Sequence, residues 1–218
     1  NSFEFKKIFE KKFKINVRCI YNPFDKTLIK NKDINKVNFK KGYLNIVSVG
    51  RLTDQKDHLT LLKAINLIKT DLKFQFFIIG NGPTEQLLKD FIEKNKLHDK
   101  VKLLGYLKNP YSYIDKTDII VLTSKFEGLP NILLEAQYLK KYIISTNCPT
   151  GPKEVLLNGR AGDLIKIGDY KKLSSLINNY HNRKKIIMNK ISIGTKYFNR
   201  FDYDLNCKKY FDLINENQ

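Results

Sequence analysis

Tryptophan is absent from these 218 residues, methionine occurs once, and there are only three histidines, three cysteines and six prolines. Each shortage removes a class of function. Cys19, Cys148 and Cys207 lie far apart with no CxxC spacing, which argues against a disulfide framework and against a zinc site. His58, His98 and His181 are equally scattered. No apolar run approaches the roughly 18 residues that span a bilayer, and no secretory leader opens the chain. The first residue is Asn1 and not methionine, so the chain reads as a piece of a longer protein. Arginine is scarce as well: Arg18, Arg51, Arg160, Arg183 and Arg200 are the only five among 40 cations.

What is present supports a packed core. The chain is 42% hydrophobic and 28% charged, which excludes wholesale disorder, and its length suits one large domain or one domain plus a fragment. The formal net charge of +18 excludes an acidic solvating protein. It has two readings. A basic surface attracts nucleic acid, anionic lipid or a phosphorylated substrate. Alternatively, abundant Lys, Asn and Ile reflect an A/T-rich genome. Dedicated phosphate readers lean on the bidentate fork of arginine, so the compositional reading accounts for most of the charge.

Residues 3–13 place Phe and Ile at helical spacing among lysines, and NVRCIY (16–21) has the texture of a short strand, stopped by Asn22-Pro23-Phe24-Asp25. Residues 26–43 are polar and weakly periodic, as a linker would be. From Asn45 the texture changes. Short apolar runs at 45–50, 74–80, 101–105, 118–123 and 142–146, with a sixth at 161–167, read as strands buried on both faces. Helical patterns at 57–69, 84–96, 110–116 and 130–140 separate them, and 169–215 reads as two or three further helices. Such alternation predicts an α/β fold with a doubly wound, Rossmann-like parallel sheet and extra C-terminal helices. Ligands of these sheets sit beyond the carboxyl ends of the strands, so chemistry is sought in the loops that follow them.

Four loops qualify. In Gly50–His58, Arg51 and Lys56 bring two cations to a helix start, which suits a diphosphate; an ordinary polar loop is the alternative. His58 reads as a packing or capping residue. Gly80-Asn81-Gly82-Pro83 is not a dinucleotide fingerprint, because the expected third glycine is Glu85. It is either a turn that lets a ligand approach the backbone or a plain strand-to-helix turn.

Ser124–Ala136 is the most informative loop. Glu127 precedes a helix that Pro130 is suited to start, and Glu135 lies along that helix. Unpaired amides near Gly128 to Asn131 would lie between the two carboxylates, making an anion site flanked by two hydroxyl-binding acids. Alternatively Glu135 is a surface residue and Glu127 only favours the helix dipole. Finally, Thr146–Glu154 has the length of a lining loop, and Arg160 in the turn at 158–162 is a further candidate phosphate contact.

VSVGRLTDQKDHLTLLKAI, FIIGNGP, VKLLGYLKNP and SKFEGLPNILLEA occur in the order found in retaining glycosyltransferases of the GT-B fold, the "group 1" or family 4 class. The Glu127–Glu135 spacing resembles that family's E-x7-E motif. The resemblance covers about 45–180 and implies the C-terminal half of a GT-B enzyme. On this reading 1–21 is the end of the N-terminal acceptor domain, 22–43 the interdomain linker, 44–200 the donor domain and 201–218 a crossover helix. Arg51 and Lys56 match the diphosphate-binding pair, Glu127 the acid facing the donor sugar and Glu135 the acid holding the ribose hydroxyls. Gly128, Leu129, Pro130 and Asn131 match the helix start beside the phosphates, while Gly82, Gly105, Tyr106 and Leu107 match loops near the nucleotide.

The resemblance further implies a bacterial retaining hexosyltransferase that needs no metal and no cofactor beyond its nucleotide-sugar substrate. UDP is the expected nucleotide, a glycan or lipid-linked molecule the acceptor, and polysaccharide or lipopolysaccharide assembly the setting. The expected location is cytoplasmic, peripheral on the inner face of an anionic membrane, with no nucleic-acid partner. The isolated half is expected to be inactive without its partner domain. The rival expectations are a GT-B relative with another reaction, such as an epimerase or a phosphorylase-like enzyme, and a basic nucleic-acid or membrane module with a degenerate donor site.

Overall fold

The computed structural model describes residues 2–30, 37 and 39–216. The apolar runs form strands β1 (Leu44–Val49), β2 (Phe74–Ile79), β3 (Val101–Leu103), β4 (Ile119–Leu122), β5 (Tyr142–Thr146) and β6 (Asp163–Ile165). All pair in parallel, in the order β3-β2-β1-β4-β5-β6. This is the Rossmann-like doubly wound arrangement expected from the sequence, and every strand boundary falls within two residues of its expected place.

The helices are α1 (Phe3–Phe13), α2 (Thr27–Lys30), α3 (His58–Asn66), α4 (Glu85–Lys94), α5 (Tyr111–Lys116), α6 (Asn131–Tyr138), α7 (Pro152–Val155), α8 (Tyr170–Asn178), α9 (Lys184–Lys196) and α10 (Tyr203–Asn215). Strand residues alternate between two cores. Ile46, Phe76 and Ile78 pack with Leu61, Leu88 and Leu173 on one face, whereas Val47, Phe77 and Ile79 pack with Ile114, Leu133 and Val155 on the other. A parallel sheet covered on both sides explains why these runs are apolar throughout.

Residues 16–21 differ from expectation: they form no strand. Extended, β-branched composition is insufficient without a neighbour to complete the hydrogen-bond ladder. The segment is held by its side chains instead, with Tyr21 edge-on to Phe201 at 5.0 Å and its hydroxyl donating to Glu154 Oε1 at 2.5 Å. The next residues tie down the carboxyl-terminal region. Phe24 N–H donates to Phe201 O at 2.9 Å, and Lys26 pairs with Asp202 at 3.1 Å. Within 26–43, α2 forms and Phe39 stacks on Phe77 at 4.9 Å; 31–36 and 38 lie outside the described residues. The short α7 was hidden in the sequence by the turn formers around Gly151-Pro152.

Strand order reverses direction between β1 and β4, so the loops leaving their carboxyl ends diverge and open a crevice there. Those loops carry Arg51 and Lys56 on one side and Glu127 on the other. Arg160, by contrast, precedes β6 and lies toward the amino ends of the strands, where its guanidinium sits over the Tyr197 ring at 5.7 Å. The reading of Arg160 as a phosphate contact at the same site is thereby corrected.

Candidate functional site

The loops after β1, β2 and β3 are laced through their backbones. Gly50 N–H donates to Ile79 O at 2.9 Å, Leu52 N–H to Asn81 O at 2.8 Å and Gly80 N–H to Gly105 O at 2.8 Å. A side chain at Gly80 would place its Cβ 2.0 Å from Gly50 O, and one at Gly82 would come 2.3 Å from Leu52 O. Glycine is therefore required here by backbone meeting backbone. This gives Gly82 a packing role in addition to any approach by a ligand.

The loop after β1 is also joined to the loop after β4. Gln55 Nε2 donates to Phe126 O at 2.9 Å, Lys125 N–H donates to Gln55 O at 2.8 Å, and Thr123 Oγ1 lies 3.0 Å from the carbonyls of both Lys56 and Asp57. Asp57, in the left-handed region at φ 48°, caps α3 by accepting from Thr60 N–H at 3.2 Å. This fixes where Lys56 leaves the loop. Its stem runs past Gly50, where an added Cβ would lie 3.4 Å from Lys56 Cε.

Lys56 Nζ reaches Glu127 Oε1 at 2.5 Å across the crevice, with side-chain exposures of 16% and 8%. Ser124 Oγ, fully buried, donates to the same oxygen at 2.5 Å. Ser124 is seated in turn by Thr146 Oγ1, which donates to its carbonyl at 2.6 Å. Glu127 is pinned at its backbone too, its N–H donating to Pro149 O and its carbonyl accepting from Thr150 N–H, both at 2.8 Å. Gly151, at φ 88°, would drive a Cβ to 1.9 Å from Gly128 O, so the loops after β4 and β5 are in direct contact.

Following Glu127, Leu129 turns its side chain into the core, Pro130 takes the cap position of α6, and no side chain hydrogen-bonds to that cap. The Asn131 and Ile132 amides at the start of α6 are thus available to an anion, whereas Leu133 N–H donates to Pro130 O at 3.0 Å. Asn131 is exposed at this end, and Arg51 is exposed on the facing loop. Glu135 lies one turn further along α6. Burial pushes its carboxyl up to about 7, opposed by a hydrogen bond from the Tyr111 hydroxyl on α5. At the outer edge, Gly105 has φ 67°, Tyr106 is 71% exposed and Leu107 packs against the core beneath α5.

His58 is buried at the first position of α3, where burial and the nearby Lys56 charge lower it to about 4. It packs, while Asp57 does the capping. Cys148 is buried and its thiol is raised to about 11. Among the described residues no three His, Cys, Asp or Glu side chains gather as a metal site requires, and no helix is long and apolar enough to cross a membrane. Sequence reasoning missed Thr123, Ser124, Thr146 and Tyr111. The available signal was the polar Thr123-Ser124 pair closing an otherwise apolar strand.

The family model for glycosyl transferases group 1 matches residues 29–192. The chain belongs to the group 1 glycosyltransferases. A similar curated relative is the N-acetylgalactosamine-N,N'-diacetylbacillosaminyl-diphospho-undecaprenol 4-alpha-N-acetylgalactosaminyltransferase of Campylobacter jejuni, 29% identical over 88% of this chain and 52% of that one. Further matched glycosyltransferases belong to capsular polysaccharide and O-antigen biosynthesis. Among solved structures, a Rickettsia africae glycosyltransferase superposes at TM-score 0.85 with 19% identity, over 99% of this chain and 62% of that one. The Anabaena protein HepE in complex with UDP and glucose superposes at 0.81 with 20% identity, over 91% and 57%. At these identities the superpositions establish the fold, which is the Rossmann-like half of a GT-B glycosyltransferase. The chain spans about half the length of the curated relatives it matches.

Proposed function

We propose that this group 1 glycosyltransferase chain is a donor-binding half, and that the enzyme moves a sugar from a nucleoside diphosphate, with UDP the favoured nucleotide, to a glycan or lipid-linked acceptor. The observation that carries this reading is the convergence at the β1/β4 crevice. Lys56 meets Glu127 there, at the start of the loop-to-helix segment that leads into α6; Arg51, exposed on the Lys56 loop, would add positive charge, and Glu135, one turn along α6, a second hydroxyl acceptor. A diphosphate between two sugars, the donor sugar and the ribose, has the matching sequence of groups.

In this account the negative charge that grows on the departing diphosphate is met by Arg51, Lys56 and the α6 amides, which act as preorganised donors and take the place of a metal ion. Glu127 orients the donor sugar, and the sugar is transferred with retention at its anomeric carbon. The relative acting on an undecaprenol-linked diphosphate, together with the +18 charge, supports an acceptor held at the inner face of an anionic membrane. The acceptor-binding half corresponds to the part of the relatives that this chain does not span.

Calorimetric titration with UDP tests the reading. The Arg51→Ala/Lys56→Ala chain should bind UDP at least about tenfold more weakly, the loss expected for removing charged partners of an anion. Unchanged affinity in that double variant would remove the phosphate assignment.

A further inference from the structure

The donor reading leaves one conflict in the crevice. Lys56, assigned to the diphosphate, already spends its ammonium on Glu127, the residue assigned to the sugar. Both side chains are largely buried, so neither is compensated by bulk water when the pair separates. The same Glu127 oxygen also accepts from Ser124, whose hydroxyl is fully buried and whose carbonyl is held by Thr146. A flexible cation and a fixed hydroxyl therefore share one carboxylate oxygen. Only the cation, on its long stem, is free to follow an arriving anion.

We propose that Ser124 is a positioning residue: it retains Glu127 when the donor diphosphate draws Lys56 away, so that phosphate binding readies this carboxylate for the sugar. The inference rests on the donor-site reading above. In this structure Lys56 neutralises Glu127. With a diphosphate bound, Lys56 turns to the phosphate and the Ser124 hydroxyl remains as the carboxylate's donor. A buried carboxylate left with no donor is costly, so Ser124 lowers the cost of the exchange.

Thermodynamic cycles with UDP as the probe, measured by calorimetry on the full 218-residue chain, test this. Lys56→Ala should weaken UDP binding. Glu127→Gln should tighten it by about three- to tenfold, because the lysine is no longer engaged. That gain should vanish when Lys56→Ala is already present; a gain of equal size in both backgrounds would mean simple charge repulsion and would overturn the proposal. Ser124→Ala should weaken UDP binding in the native background but not in the Glu127→Gln background, and Ser124→Thr should restore it. Weakening by Ser124→Ala that persists beside Glu127→Gln would show mere packing damage and would also overturn it. Should Glu127→Gln not fold, the Ser124→Ala and Ser124→Thr pair decides: no loss, or a loss that threonine does not restore, contradicts the positioning role. If Lys56→Ala leaves UDP binding unchanged, the donor-site reading itself fails for this residue.

Discussion

Glu135 shows how a single buried carboxyl links fold and site. Its folded value of about 7 stands above the ordinary 4.5, because burial disfavours the charged form. The folded chain therefore binds the proton more tightly than the unfolded chain. The corresponding stability is fully present below about 4.5 and is lost as pH rises through about 7. Glu135→Gln should leave the unfolding free energy from urea titration nearly unchanged near pH 4.5 and raise it at pH 8, by up to about 3 kcal/mol. Identical free energies at pH 8 would contradict the buried carboxyl. Arg51, Lys56 and Glu127 were legible as candidates because they stand in loops after apolar runs, and Glu135 because it follows Glu127 at a fixed spacing on the next helix. Their pairing was not: Lys56 and Glu127 are 71 residues apart, and only the sheet order brings them together. Ser124 left only a trace, the polar pair it forms with Thr123 at the end of an apolar strand, and its partner was hidden for a related reason. A serine after a strand reads as a turn former, and nothing local shows that it is fully buried and aimed at a carboxylate.

The strands, helices and loops around the crevice depend on close backbone approach. Gly80, at φ 144°, fits only because hydrogen takes the place of a Cβ beside Gly50 O. Gly80→Ala should cost about 2 kcal/mol or more, read as a fall in melting temperature of roughly 4–8 °C. Gly42, at φ 79° with open space around it, should be less sensitive to the same change. A larger loss at Gly42 than at Gly80 would refute the packing argument. The six sheet strands were readable because each is a short apolar run closed by small or polar residues. The run at 16–21 had similar composition but no ladder partner, and composition does not report partners. The four-residue α7 was missed because its flanking glycine and proline mark turns more strongly than so short a helix marks itself.

The chain as a whole has two cores sandwiching one sheet, and α1 lies outside both, although its cap residue Ser2 is buried. No residue of α1 is buried, and its first amides are capped by Glu154, to which Phe3 N–H donates at 2.9 Å. Removing residues 1–14 should therefore shift the melting temperature by only about 2 °C, whereas Leu61→Ala in the core beneath α3 should cost about 2–5 kcal/mol. A large loss on removing 1–14 would show that α1 supports the sheet. Every functional role proposed above requires the nucleotide to bind at the carboxyl ends of β1 and β4. The direct measurement is a map of backbone amide resonances as UDP is added to the isotope-labelled chain. The largest changes should fall on Arg51, Lys56, Gly128, Asn131 and Ile132. Changes concentrated instead around Arg160 and the amino ends of the strands, or no saturable change at all, would contradict this location.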